Sequence, residues 1–546
     1  MFSSPMLLDP LPAALAAAAV GVSLHLCLFI RGEWERHVPI LLAIVITGPI
    51  MLNVLLLVIY NLSLARAIVT TILLVGSLNA GLFTSITTYR LFFHPLNKFP
   101  GPVGARITGF WSIWQSIRTD YKWHLKVQQL HEEYGDFVRI RPREISINHP
   151  DAVHDIYGLT TKCSKGPFYD INYPARSLQM TRDKKVHSQR RRTWDKAFTA
   201  KALESYETRL QSHCDDLCAQ LASSNSTPIN ATDLCEFFGY DVMSDLLFSA
   251  SFHQLRSSTA SFVLNQFKYG RALCTLLCVP WLFRLIQTLP MIKRLRTNWI
   301  AWCVHQLETR LATPPPTPDL ITHLTAPTPP HPPIPPTSPL AFDAEAAIVA
   351  GADTTASALA ACLHLLAAHP AAQSALRAEL ARIGALSHQQ LAAAPCLDGV
   401  LREALRLYPP VPSGLQRVTP AGGAVLAGRR VPGDVLVSAA AWCTHRDPRN
   451  FTRPDEFLPE RWMGERRGAV GGKEAWAPFS VGMQACVGRP LAMMELRMAV
   501  ANVVARFEVK LEDEVRSVEV FEKDPGWRDF FIAAVPPVRT VFVERK

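Results

Sequence analysis

Three long apolar runs in the first 90 residues constrain the fold of this chain more than any other feature. They cover residues 11–30, about 38–60 and about 67–88. Each run is long enough to cross a hydrocarbon layer of about 30 Å as a helix. A signal peptide would explain only the first run, and no basic residue precedes that run as a leader. We therefore predict a membrane anchor of about three spans over residues 1–90.

The charges that flank these runs predict their orientation. Arg31 and Arg36 follow the first run, and Arg90 and Lys98 follow the third. Loops rich in Arg and Lys stay in the cytosol, so the first loop and the rest of the chain are expected there. Residues 91–102 then carry three prolines and a glycine, which stiffen a chain and block helices. They are predicted to form a hinge before a second domain over residues 103–546.

Composition excludes several other classes of protein. The net charge of +10 suits nucleic acid, an anionic membrane or an acidic protein partner. The sequence shows no basic stripe with interleaved aromatic residues and no DNA-binding motif, which disfavours nucleic acid. The 12 cysteines are scattered without a Cys-x-x-Cys pair. This pattern favours a reducing compartment over a disulfide framework or a zinc site.

Cys486 lies in a glycine-punctuated loop, Phe-Ser-Val-Gly-Met-Gln-Ala-Cys-Val-Gly over residues 479–488, before a predicted helix. Pro490 suits the first turn of that helix. The positive end of a helix dipole favours thiolate over thiol, so Cys486 is a candidate metal ligand, nucleophile or redox sensor. A lone cysteine before an apolar helix is more often a small core residue, and the wider pattern must decide.

Two further motifs lie on predicted helices. A long Ala-rich helix is predicted over residues 342–369, and Ala-Gly-Ala-Asp-Thr-Thr over residues 350–355 weakens it locally, because Gly and Thr are poor helix formers. That weak point indicates either close helix packing at Gly351 or a groove. A basic helix is predicted over residues 183–198, where His187 and Arg191 lie four apart and share one face.

The pattern Phe-x-x-Gly-x-x-x-Cys-x-Gly resembles the haem-ligand loop of the cytochrome P450 family. The resemblance runs from about Phe99 to the C-terminus, with the other motifs in the family's order. It implies a mainly α fold with small β-sheets, and haem b with Cys486 as the axial iron ligand, where a thiolate pushes electron density onto iron. One departure is Gln484, where the family often has Arg or His paired with a haem propionate; Gln brings a hydrogen bond but no charge.

The resemblance also implies roles for other residues. Thr354 is expected to offer a hydroxyl where dioxygen binds, and Asp353 to relay protons from water. The remaining assignments are haem binding for His187, Arg191, Arg417, Phe479, Gln484 and Gly488, a buried triad of Glu403, Arg406 and Arg461, a substrate cavity lined by Gly351, Ser413, Leu415 and Phe531, and a lid over residues 166–181.

The implied activity is insertion of one oxygen atom from O2 into a lipophilic substrate, a terpenoid or other secondary metabolite as in similar fungal enzymes. Electrons are expected from NADPH through a reductase, with cytochrome b5 as a second donor, at the endoplasmic reticulum membrane. The expected docking face carries Arg466, Arg467, Lys473, Arg489 and Arg497. Oxidation of fatty acids or xenobiotics stays open. A thiolate-haem isomerase or dehydratase, which needs no reductase, is disfavoured by the Asp353-Thr354 pair, and a non-catalytic membrane protein is disfavoured by the ordered motifs.

Overall fold

The computed structural model describes residues 9–326, 333–463, 473–522 and 526–545 of the chain. These residues form a mainly helical fold with small sheets. The helices are α1 (Pro10–Leu24), α2 (Val38–Val58), α3 (Leu64–Thr88), α4 (Val103–Ile107), α5 (Phe110–Arg118), α6 (Trp123–Tyr134), α7 (Ala152–Tyr157), α8 (Lys184–Lys196), α9 (Ala200–Ser223), α10 (Ala231–Phe248), α11 (Gln254–Ser257), α12 (Phe262–Gly270), α13 (Pro280–Ile286), α14 (Pro290–Ala312), α15 (Leu320–Thr325), α16 (Pro339–Ala368), α17 (Pro370–Ile383), α18 (His388–Ala392), α19 (Pro395–Leu407), α20 (Ala441–Thr444), α21 (Arg489–Arg506) and α22 (Glu514–Glu522).

The strands are short and mostly antiparallel. They are β1 (Phe137–Arg141), β2 (Glu144–Ile147), β3 (Ser164–Lys165), β4 (Ile229–Asn230), β5 (Arg417–Val418), β6 (Ala424–Leu426), β7 (Arg429–Val431), β8 (Leu436–Ser438), β9 (Phe507–Leu511), β10 (Arg528–Phe530), β11 (Ile532–Ala534) and β12 (Arg539–Glu544).

The largest sheet has the strand order β1-β2-β8-β5-β3. The predicted hairpin of β1 and β2 is present and antiparallel. At the other edge of the sheet, β3 pairs with β5 so that Lys165 lies opposite Arg417. Neighbouring residues on paired strands have side chains about 5 Å apart, and this register therefore brings two cations together.

Three N-terminal helical segments are long and apolar enough to cross a membrane: Pro10–Phe29, Glu35–Val58 and Leu64–Lys98. Helix α16 also meets this criterion, but 72% of its most apolar window is buried inside the protein. A helix that is apolar all round belongs either in a core or in a membrane. The burial of α16 makes it a core helix.

Helices α1 and α3 pack closely through small residues. A Cβ atom added to Gly21 would lie 2.0 Å from the carbonyl oxygen of Leu78, and one added to Gly81 would lie 2.1 Å from that of Ala18. Asn53 Nδ2 of α2 donates to Thr71 Oγ1 of α3 at 3.2 Å. Small residues and polar contacts of this kind hold helices together in apolar surroundings. Helix α3 is therefore the centre of a three-helix unit.

The predicted hinge is packed against the sheet. Leu96 and Phe99 are fully buried, and Arg139 of β1 donates its backbone N–H to Pro100 O at 2.7 Å. Arg139 Nη1 also donates to Asn97 Oδ1 at 2.7 Å. A Cβ on Gly101, whose φ is +153°, would lie 2.4 Å from Arg139 O. The connection thus fixes the position of the three-helix unit relative to β1.

Helix α16 runs unbroken from Pro339 to Ala368, in agreement with the predicted long helix, and continues through the weak point at residues 350–355. The space beside Gly351 is filled by helix α10, because a Cβ there would lie 2.5 Å from Met243 Sδ. Of the two explanations for this glycine, close helix packing therefore has direct structural support.

Candidate active site

The loop before α21 is shaped by backbone hydrogen bonds that hold Cys486 in place. Its N–H donates to Phe479 O at 2.8 Å, and Ala485 N–H donates to Gly482 O at 3.1 Å. Gly482 has a φ of +74°, and a Cβ there would lie 2.3 Å from Tyr157 O. Only glycine combines this left-handed conformation with so close an approach. The loop is thus a fixed support for the cysteine.

The Cys486 thiol is accessible, although protein lies close around it. The side chain is exposed, yet the surrounding protein is dense enough that burial dominates and raises the pKa of the thiol. Backbone N–H groups of Gly488 and Arg489 hydrogen-bond the sulfur, and the Arg191 cation lies nearby; all of them oppose this rise in pKa. The N–H groups at the helix start thus favour the thiolate, as predicted, but desolvation outweighs them in the net pKa.

Thr354 is a partly exposed residue between buried neighbours on helix α16. Asp353 and Thr355 are buried, whereas Thr354 is only partly covered. The Thr354 hydroxyl donates to Ala350 O at 2.6 Å. A hydroxyl that donates to its own helix keeps two lone pairs free to accept. Thr354 can therefore accept a hydrogen bond from a group on its open side.

Glu495 links α21 to this part of α16. It is buried, and a hydrogen bond from the Thr355 side chain partly opposes the burial that raises the pKa of Glu495 to about 8. Its Oε2 atom has no hydrogen-bond partner among the described residues. Glu495 lies about two turns into α21, so the contact places this part of the helix beside Thr355 of α16.

Asp353 belongs to a chain of charges that leads toward the surface. Its Oδ1 accepts from Tyr240 Oη at 3.2 Å and from Arg271 Nη2 at 3.1 Å. Arg271 also pairs with Glu236 at 3.0 Å, and Glu236 pairs with the half-exposed Lys268 at 2.7 Å. Burial raises the pKa of Asp353, and the Arg271 cation opposes this rise. The two effects on the pKa of Asp353 thus act in opposite directions, and burial is the larger.

A cluster of buried cations lies beside β3 and β5. Lys165 Nζ donates to the carbonyl oxygens of Gln179 and Thr181 at 2.6 and 3.2 Å. Arg417 Nη1 donates to Tyr169 Oη and Gln416 O at 2.9 and 3.0 Å. Burial and Arg417 lower the pKa of Lys165 to about 7.

His187 and Arg191 of helix α8, which are predicted to bind haem, adjoin this cation cluster. Burial, followed by Lys165 and Arg191, lowers the pKa of His187 to about 4. Arg191 Nη1 donates to Ala485 O at 2.6 Å, beside Cys486, and Arg191 Nε pairs with Asp195. The helix therefore joins the cation cluster to the cysteine loop.

These residues fit a haem. Among the described residues, Lys165 and Arg417 donate hydrogen bonds only to neutral oxygen atoms, although buried charges normally require a counter-charge. A haem carries two carboxylates that supply one, and the accessible thiol of Cys486 supplies the iron ligand. No side-chain contact is described for Gln484, and Phe479 packs on the main core beside the loop.

Glu403, Arg406 and Arg461 lie together, fully or almost fully buried. Glu403 Oε1 accepts from Arg406 Nη2 and from Arg461 Nε, each at 2.9 Å. Its Oε2 accepts from Arg406 Nε and from Trp462 Nε1, each at 2.9 Å. The carboxylate is thus saturated with donors, as a buried ion pair must be.

His445 connects this triad to the cysteine loop, and the sequence pattern did not reveal it. Its Nδ1 donates to Arg406 O at 3.1 Å, and its Nε2 accepts from Ala477 N–H at 3.0 Å. The carbonyl of Ala477 then accepts from Ser480 N–H at 2.9 Å. Burial, together with Arg406, lowers the pKa of His445 to about 3. A neutral imidazole thus bridges helix α19 and the loop that carries Cys486.

The four predicted cavity residues are not all in one place. Phe531, at the tip of the β10–β11 hairpin, packs on Phe168 with ring centroids 4.9 Å apart. The Ser413 hydroxyl hydrogen-bonds Asp529 in the same hairpin. Leu415 packs instead against the apolar cluster under the large sheet, and Gly351 faces α10.

The predicted docking face is described only in part. Arg466 and Arg467 lie outside the described residues. Arg489 is exposed, with its guanidinium 5.7 Å from the Trp476 ring centre. Arg497 is mostly covered and pairs with Asp398 at 3.1 Å. Arg489 is therefore the member of the set with a described, exposed charge.

Comparisons with known proteins show the family and the fold of this chain. The family model "Cytochrome P450" matches residues 100–527. The chain is 39% identical over 527 residues to cytochrome P450 monooxygenase nodW of Hypoxylon pulicicidum, covering 95% of this chain and 96% of nodW. It is 34% identical over 523 residues to tryprostatin B 6-hydroxylase of Neosartorya fischeri, covering 93% and 95% of the two chains.

A solved structure of the cytochrome P450DA heme domain superposes with a TM-score of 0.63 at 18% identity, covering 78% of this chain and 92% of that one. That similarity supports the fold. Members of the family bind haem b, receive electrons from NADPH through a reductase and insert oxygen from O2 into lipophilic substrates, and these properties hold for this chain as well. The chain belongs to the cytochrome P450 family.

Proposed function

We propose that this chain is a membrane-anchored monooxygenase that hydroxylates a lipophilic secondary metabolite. The observation that carries the proposal is the accessible thiol of Cys486 at the end of a fixed loop. The helix that follows, α21, bonds to α16 one residue from Thr354. Two relatives are named tryprostatin B 6-hydroxylases, which supports hydroxylation as the reaction type.

When bound, the haem would activate dioxygen, and residues of the chain would hold the haem in place and supply protons. Cys486 is proposed to hold the iron, and Lys165, His187, Arg191 and Arg417 the carboxylates. Thr354 is proposed to accept a hydrogen bond on its open side, and Asp353 to relay protons from water. General acid–base groups positioned in this way contribute about 10²–10⁴-fold to a rate.

Replacing Arg417 with alanine is expected to weaken haem retention. A hydrogen bond to a charged group contributes about 1.5–3 kcal/mol, which corresponds to a loss of haem affinity of about tenfold or more. The measurement is the rate of haem transfer to apomyoglobin. Arg430→Ala is the matched control, because Arg430 is exposed on the adjacent hairpin and donates only to Gly422 O in the described structure. Equal transfer rates for the two variants would refute the assignment.

Three helices are proposed to anchor residues 1–90 in the endoplasmic reticulum membrane, with residues 91–102 as connection and residues 103–546 as the cytosolic catalytic domain. The apolar helices α1, α2 and α3 support this arrangement. Cytochrome b5 is proposed as a second electron donor at the Cys486 face, where Arg489 exposes positive charge.

A spectral-shift screen of lipophilic compounds tests the proposed substrate class. Tryprostatin B serves as one probe, and terpenoids, fatty acids and common drugs represent the other classes. A secondary metabolite that shifts the haem spectrum and is hydroxylated in the presence of reductase and NADPH would support the proposal. Rearrangement or dehydration of a ligand without reductase would instead support the isomerase or dehydratase alternative.

A further inference from the structure

The loop between α1 and α2, residues 30–37, contacts the predicted substrate lid of residues 166–181. Arg36 Nη2 lies 2.8 Å from both carboxylate oxygens of Asp170 in the lid. Arg182, just after the lid, pairs with the same carboxylate and also with Glu33 of the loop, with Nη1–Oε2 at 2.6 Å and Nη2–Oε1 at 3.0 Å. Two acidic and two basic groups thus join segments more than 130 positions apart in the chain.

Asp170 is the centre of this contact. The residue is 4% exposed, and its backbone oxygen accepts from Arg284 Nη1 at 2.7 Å. The Arg36 guanidinium also lies 5.0 Å from the ring centre of Tyr173 in the lid. A buried carboxylate depends strongly on its cations, because removing one partner leaves charge that water does not fully compensate.

The other side of the lid faces the candidate active site. Phe168 packs on Phe531, and Tyr169 Oη accepts from Arg417 of the cation cluster. The far end of the lid is held by α16, where Asp343 Oδ1 accepts from Leu178 N–H at 2.7 Å. The lid therefore lies between the first loop of the anchor and the haem-binding residues.

We propose that the loop of residues 30–37 positions the lid, and so sets how readily a bulky lipophilic molecule reaches the haem. This inference rests on the proposed function. The loop connects two helices that can cross a membrane, so the chain of ion pairs from Arg36 through Asp170 and Arg182 to Glu33 couples the lid to the anchor. Arg36 is a positioning residue in this account, since it acts through Asp170.

Arg36→Ala in the full-length protein in lipid nanodiscs tests the coupling. Hydrogen exchange of residues 166–181 is expected to accelerate about tenfold, the factor for losing one charged hydrogen bond. Association of 4-phenylimidazole with the haem is expected to change by several-fold, while that of the smaller imidazole stays close to wild type. Arg36→Lys, which keeps the charge, is expected to recover much of both effects.

Arg31→Ala is the matched control, because Arg31 lies in the same loop, is exposed and has no described side-chain contact. If Arg36→Ala and Arg31→Ala gave the same lid exchange and the same ligand kinetics, the inference would be overturned. Absence of a thiolate-type spectrum in the wild-type protein would instead refute the proposed function, and lid exchange would still report on the coupling. A general loss of structure in Arg36→Ala would accelerate exchange everywhere, whereas positioning predicts a change centred on the lid.

Discussion

Glu403→Ala is expected to produce a chain that retains little or no haem. The substitution leaves the buried guanidinium groups of Arg406 and Arg461 without their shared carboxylate. Breaking a buried pair by removing one partner costs about 3–5 kcal/mol. His445 connects this part of the chain to the cysteine loop. The destabilisation should therefore disrupt haem binding before it unfolds the rest of the protein.

The measurement is haem content per mole of purified protein, together with the free energy of unfolding. Glu456→Ala is the control, because the Glu456 side chain pairs with Arg453 in the same segment but is exposed. Haem content close to wild type is expected for that control. A normally haem-loaded Glu403→Ala protein would contradict the role of the triad.

Asp353→Asn is expected to lower product formation by about 100-fold or more, the range for loss of a general acid–base group. Asparagine still accepts hydrogen bonds from Tyr240 and Arg271 but cannot exchange a proton. Haem content and ligand binding should therefore stay close to wild type. The measurements are the rate of product formation and the product formed per NADPH consumed, and an unchanged rate of product formation would refute the proton-relay role.

Arg271→Gln tests the same role through pH. The Arg271 cation opposes the burial that raises the pKa of Asp353. Without this cation the charged carboxylate loses support, so its pKa rises further. As the pH is lowered, activity that requires the ionised form of Asp353 should therefore be lost at a higher pH in Arg271→Gln than in the wild type. Arg256→Gln, which breaks the exposed pair with Asp216, should leave the pH profile unchanged.

The local motifs of this site were predictable from the sequence because their chemistry is set over a few residues. The i,i+3 spacing brings Glu403 and Arg406 together, and the glycines and proline around Cys486 indicate a tight loop before a helix. The direction of the Cys486 pKa shift was not predictable, because the dipole is a local effect whereas desolvation depends on the whole surrounding fold.

Contacts between residues far apart in the sequence could not be predicted from local sequence patterns. His445 and Lys165 look like ordinary polar residues in sequence, and only tertiary packing joins His445 to Arg406 and Lys165 to Arg417. Glu495 is more informative, since it is an acidic residue within an apolar stretch of a predicted helix. For Gly351 the sequence left two explanations open, close helix packing or a groove, and the position of Met243 favours packing.

The carbon monoxide difference spectrum of the reduced protein, wild type against Cys486→Ser, tests the central claim most directly. A thiolate ligand gives the haem–carbon monoxide complex a strongly red-shifted Soret band. We expect this band in the wild type and in the control Cys27→Ser, whose cysteine is exposed in the anchor segment, and its loss in Cys486→Ser. A wild-type protein without the band, or a Cys486→Ser protein that keeps it, would contradict the account.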